Sequence, residues 1–293
     1  MQEKRTEPAT PGPAGGGVEQ FEIPGDPVIR GWSKGSGRDL ILCHGLSATR
    51  DFVVHGSDYL SRNGYRVHSW DARGHGESDP APPGESYDYR HQADDLGRVV
   101  DERTIGEDLF LAGHSMGAHT VLAWTLGNLD RVTGIALIGP VYTEGREVMP
   151  DDRWDQRAHA LEQGGPEEFA RLAASEFEGE DEDRETIERI ALDRTRRHLH
   201  PEAVAQGLRE VPRSRALPDM DSLGRLEVPT LIVGSHDTQD PGHPLAVAAL
   251  YAELIPSAEL VVEGEGEPPL AWQGGRLSRV LADFFDSVGR SGA

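Results

Sequence analysis

Short runs of consecutive apolar residues recur along the chain, and segments with helical spacing separate most of them. Such runs are typical of strands that are buried on both faces of a parallel sheet. We interpret six runs as strands: Leu40–Cys43, Tyr65–Trp70, Leu109–Ala112, Val132–Ile138, Thr230–Val233 and Leu260–Val262. Helical spacing marks Tyr87–Glu102, Met116–Leu129, Pro244–Leu254 and Arg276–Val288. The alternating order predicts an α/β fold with a doubly wound, mostly parallel sheet.

The first residues of the chain follow a different pattern. Residues 1–17 combine Pro, Gly and charge without periodic apolar positions, which predicts a disordered tail. The segments Val18–Ile23 and Val28–Trp32 flank a Pro-Gly-Asp-Pro turn and predict two antiparallel strands at a sheet edge.

One long segment interrupts the alternation of strands and helices. Between Tyr142 and Leu217 the pattern contains no strand, whereas helical spacing recurs. The predicted helices are Asp155–Leu161, Pro166–Phe177, Arg184–Arg197 and Pro201–Leu208. We therefore predict a helical insertion over 143–217, after the sixth strand, and a core made of 18–142 and 218–289.

Composition narrows the range of partners and compartments. The 29 basic and 51 acidic residues give a net charge of −22, which repels nucleic acid and anionic lipid. No stretch reaches the roughly 18 apolar residues that a membrane span needs. The only cysteine is Cys43, so an intrachain disulfide and a CxxC motif are excluded. We expect a cytoplasmic protein that acts on a small molecule, without nucleic acid or membrane partners.

A candidate nucleophile lies in Gly113-His114-Ser115-Met116-Gly117, which fits the G-x-S-x-G pattern. An apolar strand precedes this motif and a helical segment follows it. The two glycines allow a strained turn that lifts the serine hydroxyl clear of the sheet, next to a helix N-terminus. This context predicts Ser115 as the nucleophile.

A second loop suits the stabilisation of a developing oxyanion. His44-Gly45-Leu46 follows a buried strand, and the backbone N–H groups of Leu46 and Met116 are the predicted donors. Candidate substrate contacts are His44, Gly45, His114 and Trp154. The chemistry requires no metal and no organic cofactor.

Four motifs in this order resemble the α/β-hydrolase superfamily over residues 18–289. They are His44-Gly45, Asp71-x-Arg73-Gly74-His75-Gly76-x-Ser78, Gly113-x-Ser115-x-Gly117 and Gly234-x-x-Asp237. More narrowly, the chain is similar to the lidded esterase, proline-iminopeptidase and epoxide-hydrolase branch, whose lid follows the sixth strand. A serine at position 115 argues against the members that attack with aspartate. The resemblance implies Asp237 as the triad acid, with Asp240 as the runner-up.

The chain departs from this family at the catalytic histidine, which should follow the last strand. Glu267 occupies that place, and no histidine follows His243. Three explanations stay open. Glu267 is the base, or His243 reaches Ser115, or the chain is a weakened or non-hydrolytic member that binds a ligand or performs a lyase or isomerase step. Other candidate bases are His119, His159, His198 and His200.

The resulting functional hypothesis is hydrolysis of esters or related acyl compounds that are small to medium and largely apolar. The reaction would pass through an acyl-enzyme on Ser115 with an atypical base. An acyltransferase or perhydrolase would use the same residues and differ only in the molecule that attacks the acyl-enzyme.

Overall fold

The computed structural model of the protein describes residues 17–141, 151–176, 181–237, 240 and 242–289. The predicted tail lies outside these residues, except for Gly17. The strands are β1 (Glu19–Ile23), β2 (Ile29–Gly35), β3 (Arg38–Cys43), β4 (Tyr65–Trp70), β5 (Leu109–His114), β6 (Gly134–Ile138), β7 (Thr230–Val233) and β8 (Ala258–Val261). The α-helices are α1 (Tyr59–Arg62), α2 (Tyr89–Arg103), α3 (Met116–Thr125), α4 (Asp151–Ser175), α5 (Asp181–Thr195), α6 (Pro201–Glu210), α7 (Leu245–Leu254) and α8 (Gly274–Gly289).

In the described part of the chain, the eight strands form one sheet in the order β1-β2-β4-β3-β5-β6-β7-β8. Strand β2 pairs antiparallel with both β1 and β4, and the remaining pairs are parallel. The predicted α/β fold with a mostly parallel sheet is therefore confirmed. The central strands are almost wholly buried, which is why their sequences are continuous apolar runs.

Apolar clusters cover both faces of the sheet. On one face, Leu96 of α2, Val121 of α3 and Tyr251 of α7 belong to one cluster. On the other face, Leu60 of α1 and Phe285 of α8 belong to a second cluster. This double cover is the arrangement that right-handed crossover connections produce.

Helices α4, α5 and α6 lie between β6 and β7, in the range where the pattern predicts the insertion. We call these three helices, together with residues 196–200 between α5 and α6, the helical insertion. Their apolar cluster consists of Ala158, Leu161, Phe169, Val204, Ala205 and Leu208. Helix α4 is kinked at Gly165, whose φ of 68° lies in the left-handed region, and Pro166 follows. The gap between the first two predicted helices of the insertion falls at this kink.

The loops at the carboxyl ends of the strands meet at one edge of the sheet, where ligands bind in open α/β folds. His44 follows β3, Asp71 follows β4, and Ser115 follows β5. Gly139 follows β6 and Gly234 follows β7. The candidate residues of the sequence motifs therefore converge on this edge.

Buried ion pairs fix the loop that follows β4. The Arg73 guanidinium donates to both carboxylate oxygens of Asp95 on α2, at 2.7 and 3.0 Å. Asp71 accepts hydrogen bonds from the backbone N–H of Arg50 at 2.8 Å and from its guanidinium at 2.5 Å. The Asp-x-Arg motif therefore has a structural role, since it ties this loop to α2 and to the segment after β3.

Helix α3 crosses strands β3 and β5 at a distance that only glycine permits. A Cβ atom on Gly113 would lie 2.2 Å from the carbonyl oxygen of Gly117. A Cβ atom on Gly117 would lie 2.1 Å from the carbonyl oxygen of Cys43. These contacts are with backbone atoms, which cannot move aside as a flexible side chain can.

We expect Gly117→Ala to lower the free energy of unfolding by about 1–3 kcal/mol or more, because the new methyl group overpacks the crossing of α3 and β3. The matched control is Gly275→Ala in the first turn of α8, where a Cβ atom meets nothing within 4 Å. This control should be neutral or up to about 1 kcal/mol more stable, since alanine favours helix. Urea unfolding checks both variants, and equal stability of the two would contradict the close crossing.

Candidate active site

Ser115 lies at a strained turn between β5 and α3. Its φ of 52° and ψ of −112° are rare for a residue with a side chain, and such strain costs on the order of 1–3 kcal/mol. The backbone N–H of Ser115 donates to the carbonyl of Ile138 at the end of β6, at 2.9 Å. The hydroxyl forms no hydrogen bond with any described residue. The turn presents this hydroxyl at the N-terminus of α3.

The loop 44–48 approaches this turn closely. A Cβ atom on Gly45 would lie 2.9 Å from His114 Nδ1 and 3.5 Å from Ser115 Cβ. A turn in which the Ala48 N–H donates to the Gly45 carbonyl at 3.0 Å shapes the loop. Within the described residues, the N–H groups of Leu46 and Met116 have no acceptor. Both predicted oxyanion donors are therefore available to a ligand.

His44 supports the backbone of this loop from inside the protein. Its Nε2 accepts a hydrogen bond from the Ala72 N–H at 2.9 Å, so its Nδ1 carries the proton and donates to the Gly45 carbonyl at 2.8 Å. Burial lowers the pKa of His44 to about 4, and the ring is therefore neutral at pH 7. Because both ring nitrogens are engaged, the predicted substrate contact of His44 does not fit the structure.

His243 and Asp240 form a hydrogen-bonded pair in the loop between β7 and α7. His243 Nδ1 donates to Asp240 Oδ2 at 2.7 Å. Burial alone would raise the pKa of Asp240, but the neighbouring His243 and the Gly242 N–H outweigh it and hold the pKa below its usual value. Asp240 is therefore an ionised acceptor at neutral pH.

The other ring nitrogen of His243 lies close to the residue that precedes Ser115. Its Nε2 is buried and has no hydrogen-bond partner among the described residues. The ring packs against that of His114, the residue before Ser115, with centroids 5.2 Å apart and planes tilted by 36°. It also contacts the backbone at Gly139, where a Cβ atom would lie 3.1 Å from the ring. The structure therefore places the His243 ring next to His114 and Gly139, which both lie near the serine turn.

Asp237 shares a small cavity with this pair. The cavity measures about 20 Å³, which is room for about one water molecule. Its lining consists of His114, Gly139, Val233, Gly234, Ser235, Asp237, Asp240, His243, Pro269, Ala271 and Trp272. The carboxylate that holds His243 Nδ1 is nevertheless that of Asp240, which the sequence ranked second.

Glu267 lies on the exterior of the protein, and this placement corrects the hypothesis that it serves as the base. Its carboxylate accepts hydrogen bonds from Arg276 of α8 at 2.5 Å and from the Gly264 N–H at 2.9 Å. The hydrogen bond from Arg276 lowers the pKa of Glu267, whereas a carboxylate base requires a raised pKa. An exposed carboxylate held by an arginine does not fit a base for Ser115.

The buried carboxylate of the loop after β8 belongs to Glu263, a residue that sequence reasoning missed. Its Oε1 accepts hydrogen bonds from the Ser235 hydroxyl at 2.7 Å and from the His236 N–H at 2.6 Å. Its Oε2 accepts from the Leu270 N–H at 3.1 Å. Glu263 therefore connects the loops after β7 and β8 beside the candidate site.

The other histidines weighed as bases lie in different surroundings. His119 is buried on α3 between the rings of Tyr89 and Tyr251. His159 is exposed, and His200 precedes α6 near Glu202. The 3.6 Å between His200 Nδ1 and Glu202 Oε1 is longer than the 2.7 Å hydrogen bond between His243 and Asp240.

His198 connects the helical insertion to the loop 44–48. Its Nδ1 accepts from the Gly76 N–H at 2.8 Å, and its Nε2 donates to the Ser47 carbonyl at 3.2 Å. The ring also packs edge-on against His75, with centroids 5.5 Å apart. Burial lowers the pKa of His198 and of His75 to about 3. The contact between the insertion and the core thus depends on neutral imidazoles.

Trp154, a predicted substrate contact, packs instead against the apolar cluster of the insertion. The guanidinium carbon of Arg157 lies 5.2 Å from the Trp154 ring centroid. The aromatic residue beside the serine turn is Trp272, whose ring centroid is 5.7 Å from that of His114. No sequence motif identifies Trp272. The hydrogen-bonded pair of Asp240 and His243 could have been identified from the sequence, because the two residues are only three positions apart.

Among the described residues, no group of three or more His, Cys, Asp or Glu side chains could hold a metal ion. None of the described helices combines the length and the apolar character that crossing a membrane requires.

Comparisons with known proteins agree with this architecture. Residues 40–274 match the family model described as alpha/beta hydrolase fold. The AB hydrolase superfamily protein YisY of Bacillus subtilis is 25% identical over 264 residues, which cover 86% of this chain and 93% of that protein. The non-heme chloroperoxidase CPO-A1 of Kitasatospora aureofaciens is 27% identical over 263 residues, covering 86% of this chain and 94% of the relative.

Among solved structures, a thermophilic esterase from Thermogutta terrifontis is similar in fold. It superimposes with a TM-score of 0.72 at 23% identity, and the match covers 92% of this chain and 99% of that one.

We expect the free energy of unfolding to fall in mild acid, because burial lowers the pKa of His44, His75 and His198 and keeps these side chains neutral. A histidine titrates near pH 6.5 in the unfolded chain, so a lowered folded pKa gives stability that is complete above that pH and lost as the pH falls toward the folded pKa. The loss is about 1.4 kcal/mol per pH unit for each such group. When the pH falls from 7.5 to 5.5, the free energy of unfolding of His198→Gln should therefore decrease by about 1 kcal/mol less than that of the unaltered protein.

Urea unfolding at the two pH values measures this difference. The control is exposed His159→Gln, which should leave the pH dependence unchanged. An identical pH dependence in His198→Gln and the unaltered protein would contradict the interpretation of His198 as a buried neutral group.

Proposed function

Because the chain belongs to the α/β-hydrolase fold family, we propose that it is a serine hydrolase of esters or related acyl compounds, with Ser115 as nucleophile and His243 as base. One observation carries this proposal. His243 is held by a carboxylate through Nδ1, while its buried Nε2 has no hydrogen-bond partner among the described residues, and its ring packs against His114 beside the serine turn. This is the arrangement that a base needs in order to take a proton from a hydroxyl.

In the proposed first step, Ser115 Oγ attacks the acyl carbon of the substrate and its proton passes to His243 Nε2. The electron pair of the carbonyl moves to the oxygen, where the N–H groups of Leu46 and Met116 stabilise the negative charge. Collapse of this intermediate expels the alcohol, which leaves with the proton from His243. A water molecule then attacks the acyl-enzyme with the same proton transfers in the same order.

Asp240 is the proposed acid of this triad, in place of the expected Asp237. A carboxylate at Nδ1 holds the imidazole in the tautomer whose Nε2 accepts a proton, and it stabilises the imidazolium that forms. Asp240 and His243 are three residues apart in one loop, so both would be supplied by the segment between β7 and α7. The direct hydrogen bond between serine and base would then form in the substrate complex, since such bonds are often long without substrate.

We propose that the helical insertion acts as a lid over this site. Leu46, whose N–H is a proposed oxyanion donor, packs its side chain against the apolar cluster of the insertion. His198 ties the insertion to the carbonyl of Ser47 in the same loop. A shift of the insertion would therefore reach the oxyanion donors directly, which favours a small-molecule substrate enclosed between lid and strand ends.

Transfer of the acyl group to hydrogen peroxide is a second candidate function. Similarity to proteins named non-heme chloroperoxidase, such as that of Kitasatospora aureofaciens, favours it. Attack of peroxide on the acyl-enzyme would release a peracid instead of an acid, and the same residues would serve. Peracid formation from a short-chain ester in the presence of peroxide distinguishes this candidate from hydrolysis alone.

We expect a fluorophosphonate probe to label Ser115 covalently, because labelling requires an activated serine but no knowledge of the substrate. Intact-mass spectrometry should show one added label on the unaltered protein and none on Ser115→Ala. Exposed Ser175→Ala on α4 is the matched control and should be labelled fully. Absence of labelling on the unaltered protein would contradict the hydrolase proposal and favour a ligand-binding role.

Substitutions of the three candidate carboxylates should separate their roles. We expect Asp240→Asn to lower kcat for a short-chain aryl ester by about 10²–10⁴-fold, because the imidazole loses its orienting charge. Glu267→Gln should change kcat by less than about threefold, since this side chain is exposed and paired with Arg276. The decrease in kcat caused by Asp237→Asn should lie between the decreases caused by these two substitutions.

Steady-state kinetics over pH 5–9 check these expectations. His243→Ala should lower kcat by about 10²-fold or more, because the reaction loses its general base. Wild-type turnover in His243→Ala, or a loss in Glu267→Gln as large as that in Asp240→Asn, would overturn the assignment.

A further inference from the structure

Arg194, near the end of α5, is a partly buried cation that the proposed mechanism does not use. Its Nε is buried without a hydrogen-bond partner, and within the described residues no acceptor receives a bond from its guanidinium. Two nearby arginines of the insertion differ in this respect. Arg196 pairs with Glu167 at 2.6 Å, and Arg197 pairs with Asp51 at 3.0 Å.

The guanidinium of Arg194 lies beside the candidate active site. Its Cζ is 5.4 Å from the ring centroid of Trp272, and the Trp272 ring in turn contacts that of His114. The positive charge of Arg194 contributes to the lowered pKa values of His114 and His55, after burial, which is the main cause. Arg194 is therefore separated from the serine turn by a single aromatic ring.

An unpaired cation in this position is unfavourable unless something else accepts its hydrogen bonds. Burial lowers the pKa of Arg194 to about 10, with a further contribution from the charge of Arg157, so the group stays charged at neutral pH. The nearby carboxylate of Asp240 is already bonded to His243 and to the Gly242 N–H. Guanidinium has five N–H donors and no acceptor, and a buried charge of this kind is normally paired.

We propose that Arg194 binds a carboxylate group of the substrate, so that the substrate class is a carboxylate-bearing ester or acyl compound. The fork of N–H donors on guanidinium matches a planar carboxylate with two parallel hydrogen bonds. One free guanidinium corresponds to one negative charge on the ligand. This inference rests on the proposed function for the reaction, and it replaces the expectation of a largely apolar substrate.

The strongly negative net charge of the protein does not oppose such a ligand at the site itself. Charges on the surface are screened over roughly 8–10 Å at physiological salt, whereas a buried cation in contact with the ligand is screened much less. The net charge of −22 instead makes a dedicated internal cation necessary if an anion is to bind.

The test compares two esters that differ by one charge, 4-nitrophenyl hydrogen succinate and 4-nitrophenyl methyl succinate. A hydrogen bond to a charged group changes binding by a factor of about 10–100. We therefore expect kcat/KM of the unaltered protein to be at least about 10-fold higher for the acid. Arg194→Gln should lower kcat/KM by about 10–100-fold for the acid and by less than about threefold for the methyl ester.

The matched control is Arg196→Gln, which removes one positive charge from the same segment and should leave the ratio of the two kcat/KM values unchanged. Arg194→Lys keeps the charge but loses the fork, so it should show an intermediate ratio. This second variant also covers the case in which Arg194→Gln does not fold. An equal loss on both esters in Arg194→Gln, or a ratio near one in the unaltered protein, would overturn the proposal.

A binding measurement separates this inference from the proposed function. Calorimetric titration of Ser115→Ala with monomethyl succinate and with dimethyl succinate requires no turnover. We expect tighter binding of the anion by about 10-fold or more, and loss of that preference when Arg194→Gln is added. If no serine is labelled but the anion still binds through Arg194, the hydrolase proposal fails and the carboxylate site stands. If Ser115 is labelled but both compounds bind equally, the carboxylate site fails and the hydrolase proposal stands.

Discussion

The contact between helix α3 and strands β3 and β5 is the constraint on which the candidate site depends. Gly113 and Gly117 let backbone approach backbone, and the turn between them forces Ser115 into a positive φ. The same crossing sets the N-terminus of α3 beside the end of β3, and hence the distance to the loop that contains Leu46. The geometry of the candidate nucleophile and of the two predicted oxyanion donors thus depends on a single backbone crossing.

The sequence pattern could predict those strands and turns that depend on the burial and contacts of neighbouring residues in the chain. Mainly apolar runs marked β3, β5, β6 and β7. The motif Gly113-x-Ser115-x-Gly117 located the turn, because the close backbone contacts there require glycine. Pairing between distant loops could not be predicted in this way. Glu267 aligned with the family histidine, but only the fold shows that Arg276 on α8 holds it outside. The role of Trp154 depended on the direction of a side chain within the insertion, which periodicity does not determine.

Buried polar groups link the insertion to the core around the site. His44 and His198 share a function, because each uses one nitrogen as donor and the other as acceptor between backbone groups of different loops. Such a bridge works only while the imidazole is neutral, and burial ensures this by lowering the pKa. Arg194 is the contrasting case, since it stays charged and has no acceptor among the described residues. The serine turn therefore lies near imidazoles that burial keeps neutral and near the charged guanidinium of Arg194.

Asp240 and His243 are only three residues apart in the sequence. In a triad whose acid and base follow different strands, the distance between the two side chains depends on how far apart those strands lie in the sheet. Here the hydrogen-bonded pair is carried by one loop, between β7 and α7. In the proposed triad, one loop therefore sets the distance between acid and base, and that distance does not depend on the spacing of the strands. The segment after β8 then needs to supply no catalytic residue, and its Glu263 and Glu267 instead bind backbone N–H groups of the protein and Arg276.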